Sequence, residues 1–224
     1  MGRLVERLAR EAGDEVTTVL GSREAAFSAE ELAEILGGHD AAIDFTVAEA
    51  VPRHAEACAL ARVPLVEGTT GWHARLADVR ARVEREKGAL IYGANFSVGV
   101  NLFYRVVARA AELFQRLDYA AFIEEAHHSR KRDAPSGTAL RLRDLVAETY
   151  GPEEVPVSST RAGHIPGTHR VGFDSAADQI TLTHTARSRE GFAAGALVAA
   201  RWIQGKTGVY EFSETLDEIL KDGG

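Results

Sequence analysis

Across 224 residues there is one cysteine, Cys58, and one methionine, Met1. A lone cysteine forms no internal disulfide and has no thiolate partner for a zinc site, so a reducing, cytoplasmic compartment is expected. Proline is scarce at six residues, and no stretch reads as a Pro/Gly/Ser linker, a low-complexity tract or an internal repeat. Apolar runs fall well short of a membrane span, and "MGRLVERLAREAG" lacks the apolar core of a signal peptide, so neither membrane nor secretion is expected. Positive charge is in deficit: 26 Lys and Arg against 33 Asp and Glu leave a formal charge of −7. That balance argues against nucleic acid as the main partner, while allowing a local basic pocket for an acidic metabolite.

What is present is a 45% hydrophobic composition, enough for a sizeable core. Leu4, Val5 and Leu8 predict an amphipathic helix over 3–12 that stops at Gly13. "EVTTVL" (15–20) reads as a strand, "SAEELAEILGG" (28–38) as a helix capped by Ser28, and "AAIDF" (41–45) as another strand. A helix with Pro52 in its first turn, the strand "PLVEG", the amphipathic helix "ARLADVRARVEREKG" and the strand "ALIYG" complete the series. Short apolar strands alternating with helices predict a parallel sheet covered on both faces, the α/β doubly wound class. After residue 96 the pattern changes. A long helix over about 98–115, a strand in "LDYAAFIEEAHH" and a helix from "SGTAL" precede two antiparallel strands, "HRVGFDS" and "QITLTHTAR". Helices near 191–204 and at the end follow. Two domains without a linker imply that the second, α+β in character, is inserted into the first.

Ligands in open parallel sheets sit outside the carboxyl ends of the strands. Three such ends read "DFT" (44–46), "GTTG" (68–71) and "GANFSVG" (93–99). Turns alone need Gly and Thr, but three such loops in succession, with Thr69, Thr70 and Asn95 as donors and acceptors, suit a nucleotide. "GSR" (21–23) falls where such folds read the adenosine ribose, and Ser22 with Arg23 tilts the expectation toward NADPH over NADH. The densest stretch is "EEAHHSRKRDAPSGTAL" (124–140). His127 and Lys131, four apart, are acid-base equipment if both reach one cleft, each able to shift the other's proton affinity. Asp133-Ala134-Pro135 turns the chain, and Ser136-Gly137-Thr138 opens a helix whose free amides suit a carboxylate. His128 and Lys131 with the Gly137 and Thr138 amides could therefore hold a small dicarboxylic acid. Arg161, His164 and His169 lie in a further Gly/Pro-rich stretch, 160–171, whose relation to that cleft stays open. No acidic or thiol partner at ligand spacing is evident for these histidines, so no metal is expected.

The order "IDFT", "GTTG", "ANFSVGVNL" and "EAHHSRKRDAPSGTAL" resembles the bacterial 4-hydroxy-tetrahydrodipicolinate (dihydrodipicolinate) reductases, whose signature is E-x-H-H-x-x-K-x-D-A-P-S-G-T-A. "ARSREGFAAGALVAARWIQGKTGVYEF" is similar to that family's closing segment. The resemblance implies a Rossmann-like dinucleotide-binding domain, residues 1–96 and 191–224, and an inserted domain, 97–190, that binds substrate and makes a homotetramer. It implies His127 as acid/base, Lys131 as proton donor, and His128, Gly137 and Thr138 as substrate contacts. Gly68, Thr69, Thr70, Gly93, Ala94, Asn95 and Phe96 match cofactor contacts, with Arg23 at the ribose. The activity implied is NADPH- or NADH-dependent reduction of a cyclic dicarboxylate; the alternative is a silent relative that binds the dicarboxylate, or assembles with subunits, without turnover. The family pattern also contains an opening strand and a G-x-x-G-R-M-G turn, and "MGR" matches only the tail of that turn, so the glycine-rich turn and first strand are expected to be absent.

Overall fold

The computed structural model describes residues 1–222, as two compact units: Met1–Val98 with the chain from Glu190 onward, and Gly99–Arg189. In chain order the elements are α1 (Gly2–Glu11), α2 (Ala29–Leu36), β1 (Ala42–Asp44), α3 (Val51–Ala61), β2 (Leu65–Glu67), α4 (Leu76–Arg85) and β3 (Ala89–Tyr92). There follow α5 (Val98–Phe114), β4 (Ala120–His127), α6 (Gly137–Tyr150), β5 (Val157–Arg161), β6 (Thr168–Asp174) and β7 (Gln179–Thr185). The chain closes with α7 (Glu190–Trp202), β8 (Gly208–Glu211) and α8 (Phe212–Asp222).

The first unit is built on a parallel sheet in the order β1-β2-β3-β8. Both faces are covered, so β2 and β3 are buried at every residue, apolar throughout except for Glu67 at the end of β2. Leu32, Val51, Cys58, Val79 and Val83 of α2, α3 and α4 pack with Leu65 and Leu90 on one face. On the other, Ala196, Ala199 and Ile203 from α7 and its end join Phe212, Leu216 and Ile219 of α8 over Val66 and Ile91. Ser28 caps α2 through a reciprocal capping box with Glu31, and Pro52 sits in the first turn of α3, where its missing N–H is harmless.

The strand expected at residues 15–20 does not form. A strand exists only through a hydrogen-bonded ladder, and no described segment pairs with this one. Thr17 and Thr18 instead share the His39 ring at 2.9 Å each, and Val19 is left exposed. Conversely, β5 and β8 carry no strong pattern. β5, "VSSTR", is mostly exposed and reads as a polar loop, while β8 has four half-buried residues and no alternation.

The second unit has a mixed sheet in the order β5-β4-β6-β7, parallel between β4 and β5 and antiparallel elsewhere. Helices α5 and α6 cover one face, where Val107, Ala111, Leu142 and Val146 meet Ala121, Ile123, Val171 and Phe173. β4 lies between β5 and β6, and that position sets which side chains its last residues face.

Candidate active site

Along β4 burial alternates, with Ala121, Ile123, Glu125 and His127 inward. A period of two thus carries a carboxylate and an imidazole onto the face that also bears the core. Register then brings neighbours in. Glu125 stands opposite Ser159 of β5 and His169 of β6, and His127 stands opposite Arg161. Arg161 Nη2 donates to Glu125 Oε1 at 2.6 Å, and the Ser136 backbone N–H donates to the same oxygen at 3.2 Å. The other oxygen, Oε2, lies 2.7 Å from His127 Nδ1 but off the line of a straight hydrogen bond, so that contact is chiefly electrostatic. His169 Nε2 lies 3.1 Å from Ser136 Oγ, and its ring meets that of His127 edge-on with centroids 5.1 Å apart. Gly167, at φ 146°, lies against the His127 ring; a Cβ there would sit 3.1 Å from Nε2.

Burial alone would raise the Glu125 carboxyl, but the Arg161, Ser159 and Ser136 hydrogen bonds and the His127 charge outweigh it and hold it at about 2. Glu125 is therefore a fixed anion. Burial lowers His127, with Glu125 pulling it back up and the Lys131 and Arg161 charges pushing it down. Burial also depresses His169, to about 4, with the His127 charge adding to it, so this ring is neutral at physiological pH.

The loop leaving β4 supplies the rest. Lys131 Nζ pairs with Asp133 Oδ2 at 2.8 Å, and Arg161 Nη2 also donates to the Asp133 carbonyl at 2.6 Å. The chain turns through a cis Ala134–Pro135 peptide, and Ser136 caps α6 by accepting from the Ala139 N–H at 3.3 Å. No acidic residue occupies the first turn of α6; Gly137 is exposed and Thr138 half-buried there. His128 is half-buried, with Nδ1 unpartnered. The structure therefore gathers His127, Lys131, Arg161 and His169 around the signature loop, while His164 is exposed. Glu125 went unrecognised in the sequence, although a carboxylate at an inward position of an alternating strand is itself a signal. It also supplies the acidic neighbour that spacing alone did not reveal: Glu125, His127 and His169 offer ligand atoms within 4.8 Å of one another. Arg161 already holds one oxygen of that carboxylate, and a cation so placed opposes a metal ion.

In the first unit, Met1, Phe45, Thr46, Val47, Ala48, Glu49, Gly68, Thr69 and Thr70 line an open hollow of about 420 Å³. Helix α1 begins at its rim with no side-chain cap and no acid in its first turn, which suits an anion. Gly68 is required by contact: a Cβ would meet the Phe45 ring at 2.1 Å. Thr69 Oγ1 accepts from the Thr46 N–H at 3.0 Å and ties the first two strand-end loops together. The third, Gly93–Phe96, lies beside them through the Phe45–Phe96 ring contact, centroids 6.3 Å apart, but does not line the hollow. Asn95 Oδ1 accepts from the Ser97 N–H at 2.9 Å, and Phe96 is buried. Arg23 is exposed outside the hollow, at the start of a 3-10 turn. Glycine, threonine hydroxyls and an uncapped helix start fit the phosphates and ribose of a dinucleotide.

Family models for the N-terminus and C-terminus of dihydrodipicolinate reductase match residues 2–96 and 99–216. The chain belongs to the dihydrodipicolinate reductase family. A 4-hydroxy-tetrahydrodipicolinate reductase of Christiangramia forsetii is 40% identical over 195 residues, 82% of each chain. One from Anaeromyxobacter dehalogenans is 39% identical over 209 residues, covering 84% of this chain and 76% of its own. Among solved structures, a dipicolinate-bound dihydrodipicolinate reductase from Paenisporosarcina sp. TG-14 superposes with TM-score 0.66 at 25% identity, over 77% of this chain and 71% of that one. An amine dehydrogenase from Mycobacterium smegmatis, 9% identical, shares the fold with TM-score 0.60 over 95% and 92% of the two chains. Family membership matches the sequence resemblance, and Glu125, His127 and Ser136 of the buried network lie inside the family's signature, while Arg161 and His169 reach it from outside.

Proposed function

We propose that this chain reduces 4-hydroxy-tetrahydrodipicolinate to tetrahydrodipicolinate with loss of water, using NADPH or NADH, in lysine and diaminopimelate biosynthesis. The observation that carries this reading is the buried His127, set against the Glu125 carboxylate at the mouth of a loop that also presents Lys131 and the open first turn of α6. The nicotinamide, when bound, supplies the hydride. The protein's own work is to hold the dicarboxylate and manage a proton. His128 and the Gly137 and Thr138 amides receive a substrate carboxylate. His127 acts as acid/base, kept in orientation by Glu125, and Lys131 donates the proton. Its pairing with the exposed Asp133 costs little to exchange for substrate.

The cofactor reading rests on Gly68, Thr69 and Thr70 at the hollow, with Gly93, Ala94, Asn95 and Phe96 in the adjoining loop. Arg23, in the exposed loop 21–23, is the residue proposed to read a 2′-phosphate, which would favour NADPH. Residues 1–96 and 191–224 form the dinucleotide domain on this reading, and 97–190 the substrate domain. The inserted domain assembles four copies; exposed Leu102, Val106 and Leu113 along α5 support such a contact. Among the described residues no helix is long and apolar enough to cross a membrane, and with the buried free Cys58 this supports a cytoplasmic enzyme.

The test is oxidation of NADPH and of NADH by the purified chain, with substrate generated in situ from pyruvate and aspartate semialdehyde by the preceding synthase. Substrate-dependent oxidation, inhibited competitively by dipicolinate, is expected. Dipicolinate binding without oxidation of either nucleotide overturns the reductase reading. Light scattering checks the tetramer.

A further inference from the structure

A second group of buried ionisable residues lies away from His127, at the ends of β1 and β2. The parallel register sets Asp44 opposite Glu67, and both are buried, Glu67 completely. Each carboxyl has one oxygen engaged. Asp44 Oδ2 lies 2.6 Å from His54 Nδ1, and Glu67 Oε1 accepts from the Thr69 N–H at 2.7 Å. Each has one oxygen left over: Asp44 Oδ1 and Glu67 Oε2 are both buried and unpartnered. Two carboxylates cannot face each other in this way, because repulsion in a dry site is severe and neither orphan oxygen carries a donor. One proton between them satisfies both atoms at once.

We infer that Asp44 and Glu67 share a proton, with Glu67 as the acid, and that this pair clamps the two strand-end loops carrying Thr46 and Thr69. The clamp runs from His54 through Asp44 to Glu67, then through the Thr69 amide and the Thr69 hydroxyl to the Thr46 amide. Trp72 extends it by donating its indole N–H to the Thr69 carbonyl at 2.9 Å. Glu67 is thus a positioning residue for the hollow: it reaches the loops through Thr69 and does not line the hollow itself. That the clamped loops hold a dinucleotide rests on the reading above; the clamp does not.

The proton's location follows from the surroundings. Burial and the charge of Asp44 push the Glu67 carboxyl up, to about 9. Burial opposes ionisation of Asp44 too, but the hydrogen bond and the charge of His54 carry it below its ordinary value. The other groups on this face are Cys58 of α3, whose thiol burial and these two carboxyls push up, and Tyr92, paired with Glu67 across β3 and also raised by burial. Arg53 backs His54 at 3.4 Å. A glutamine at 67 would keep an acceptor for Thr69 and a donor for Asp44, which makes it the conservative variant.

The first measurement is the infrared difference spectrum of the wild-type chain minus Glu67→Gln at pH 7.5 in D2O. An un-ionised carboxyl band present in the wild type, lost in Glu67→Gln and shifted in Asp44→Asn, is expected; a wild type without that band overturns the shared proton. The second is amide hydrogen exchange at Thr69. Wild type and Glu67→Gln should protect it equally at pH 7.5, and Glu67→Ala should exchange at least tenfold faster. The Thr69 N–H by itself favours ionised Glu67, so raising the pH through 9 should release Thr69 in the wild type through the repulsion that drives the two carboxylates apart, beyond the intrinsic base catalysis of exchange, and leave Glu67→Gln unaffected. The pH arm decides the matter even where Glu67→Ala does not fold. Parallel exchange in wild type and Glu67→Gln up to pH 10 overturns the clamp. Titration with NADPH and NADH is read separately: a clamp present without nucleotide binding sinks the cofactor reading and leaves the clamp standing.

Discussion

Glu125 and Arg161 meet at 2.6 Å, one on the central strand β4 and the other on its parallel neighbour β5. The same carboxylate lies 2.7 Å from His127, so a single buried anion ties the proposed acid/base to a guanidinium on another strand. Glu125→Gln removes that charge. Removing one partner of a buried ion pair costs about 3 kcal/mol or more, so the variant should unfold at lower urea. Its His127 should also titrate lower, because Glu125 is the influence that raises it. The expected outcome is a kcat reduced at least tenfold with KM little changed, and an acidic limb of the pH profile displaced downward; an unshifted limb would mean that Glu125 acts on stability alone.

His127→Ala and Lys131→Ala should each fold and lose turnover by about 10²–10⁴-fold, the usual contribution of a positioned acid or base. His164→Ala, at an exposed site, should be close to wild type. Steady-state rates with a circular-dichroism check on folding separate the two cases.

Stability below neutral pH is expected to follow His169. Its folded value of about 4 lies under the ordinary 6.5, so between these the unfolded chain binds a proton that the folded chain refuses. Stability therefore falls as pH drops from 6.5 toward 4, by up to about 3 kcal/mol for the shift, and is flat with respect to this group above 6.5. His169→Gln should flatten that slope in urea unfolding at pH 4.5–7. Glu125, held at about 2, contributes in a lower window, where stability is lost as pH falls from its ordinary 4.5 toward 2.

Glu67 gives the opposite slope. Its folded carboxyl keeps a proton up to about 9 that the unfolded chain loses near 4.5, so its contribution weakens as pH rises through that window. Relative to wild type, Glu67→Gln should gain stability steadily from pH 5 to 9. A pH-independent difference between the two would count against a protonated Glu67.

Gly195 lies under the chain at Phe96, and a Cβ there would fall 1.7 Å from the Phe96 carbonyl oxygen. Backbone must move to admit it, so Gly195→Ala should destabilise by about 3 kcal/mol or more and disturb the third strand-end loop. Thermal unfolding checks the first effect and nucleotide titration the second. Arg23→Ala should lower the preference for NADPH over NADH without altering stability, read as the ratio of the two kcat/KM values.

The amino-acid sequence determined the elements whose signals are local. Helical spacing, the Ser28 cap, Pro52 in a first turn and short apolar strands mark α1–α4 and β1–β3, because each depends on neighbours a few residues away. The signature motifs likewise marked the family to which the chain belongs. Partner choice was decided only by the tertiary structure. Residues 15–20 have strand-like composition, yet no described strand offers them a ladder; β5 has loop-like composition, yet β4 recruits it. Glu125 becomes the hub of the site because register across three strands brings Arg161 and His169, 36 and 44 positions away, onto its carboxylate. Asp44 and Glu67, in different motifs, become a pair through the parallel alignment of β1 and β2. Burial, charge coupling and register are properties of the packed chain, and they set which carboxyl keeps its proton and which does not.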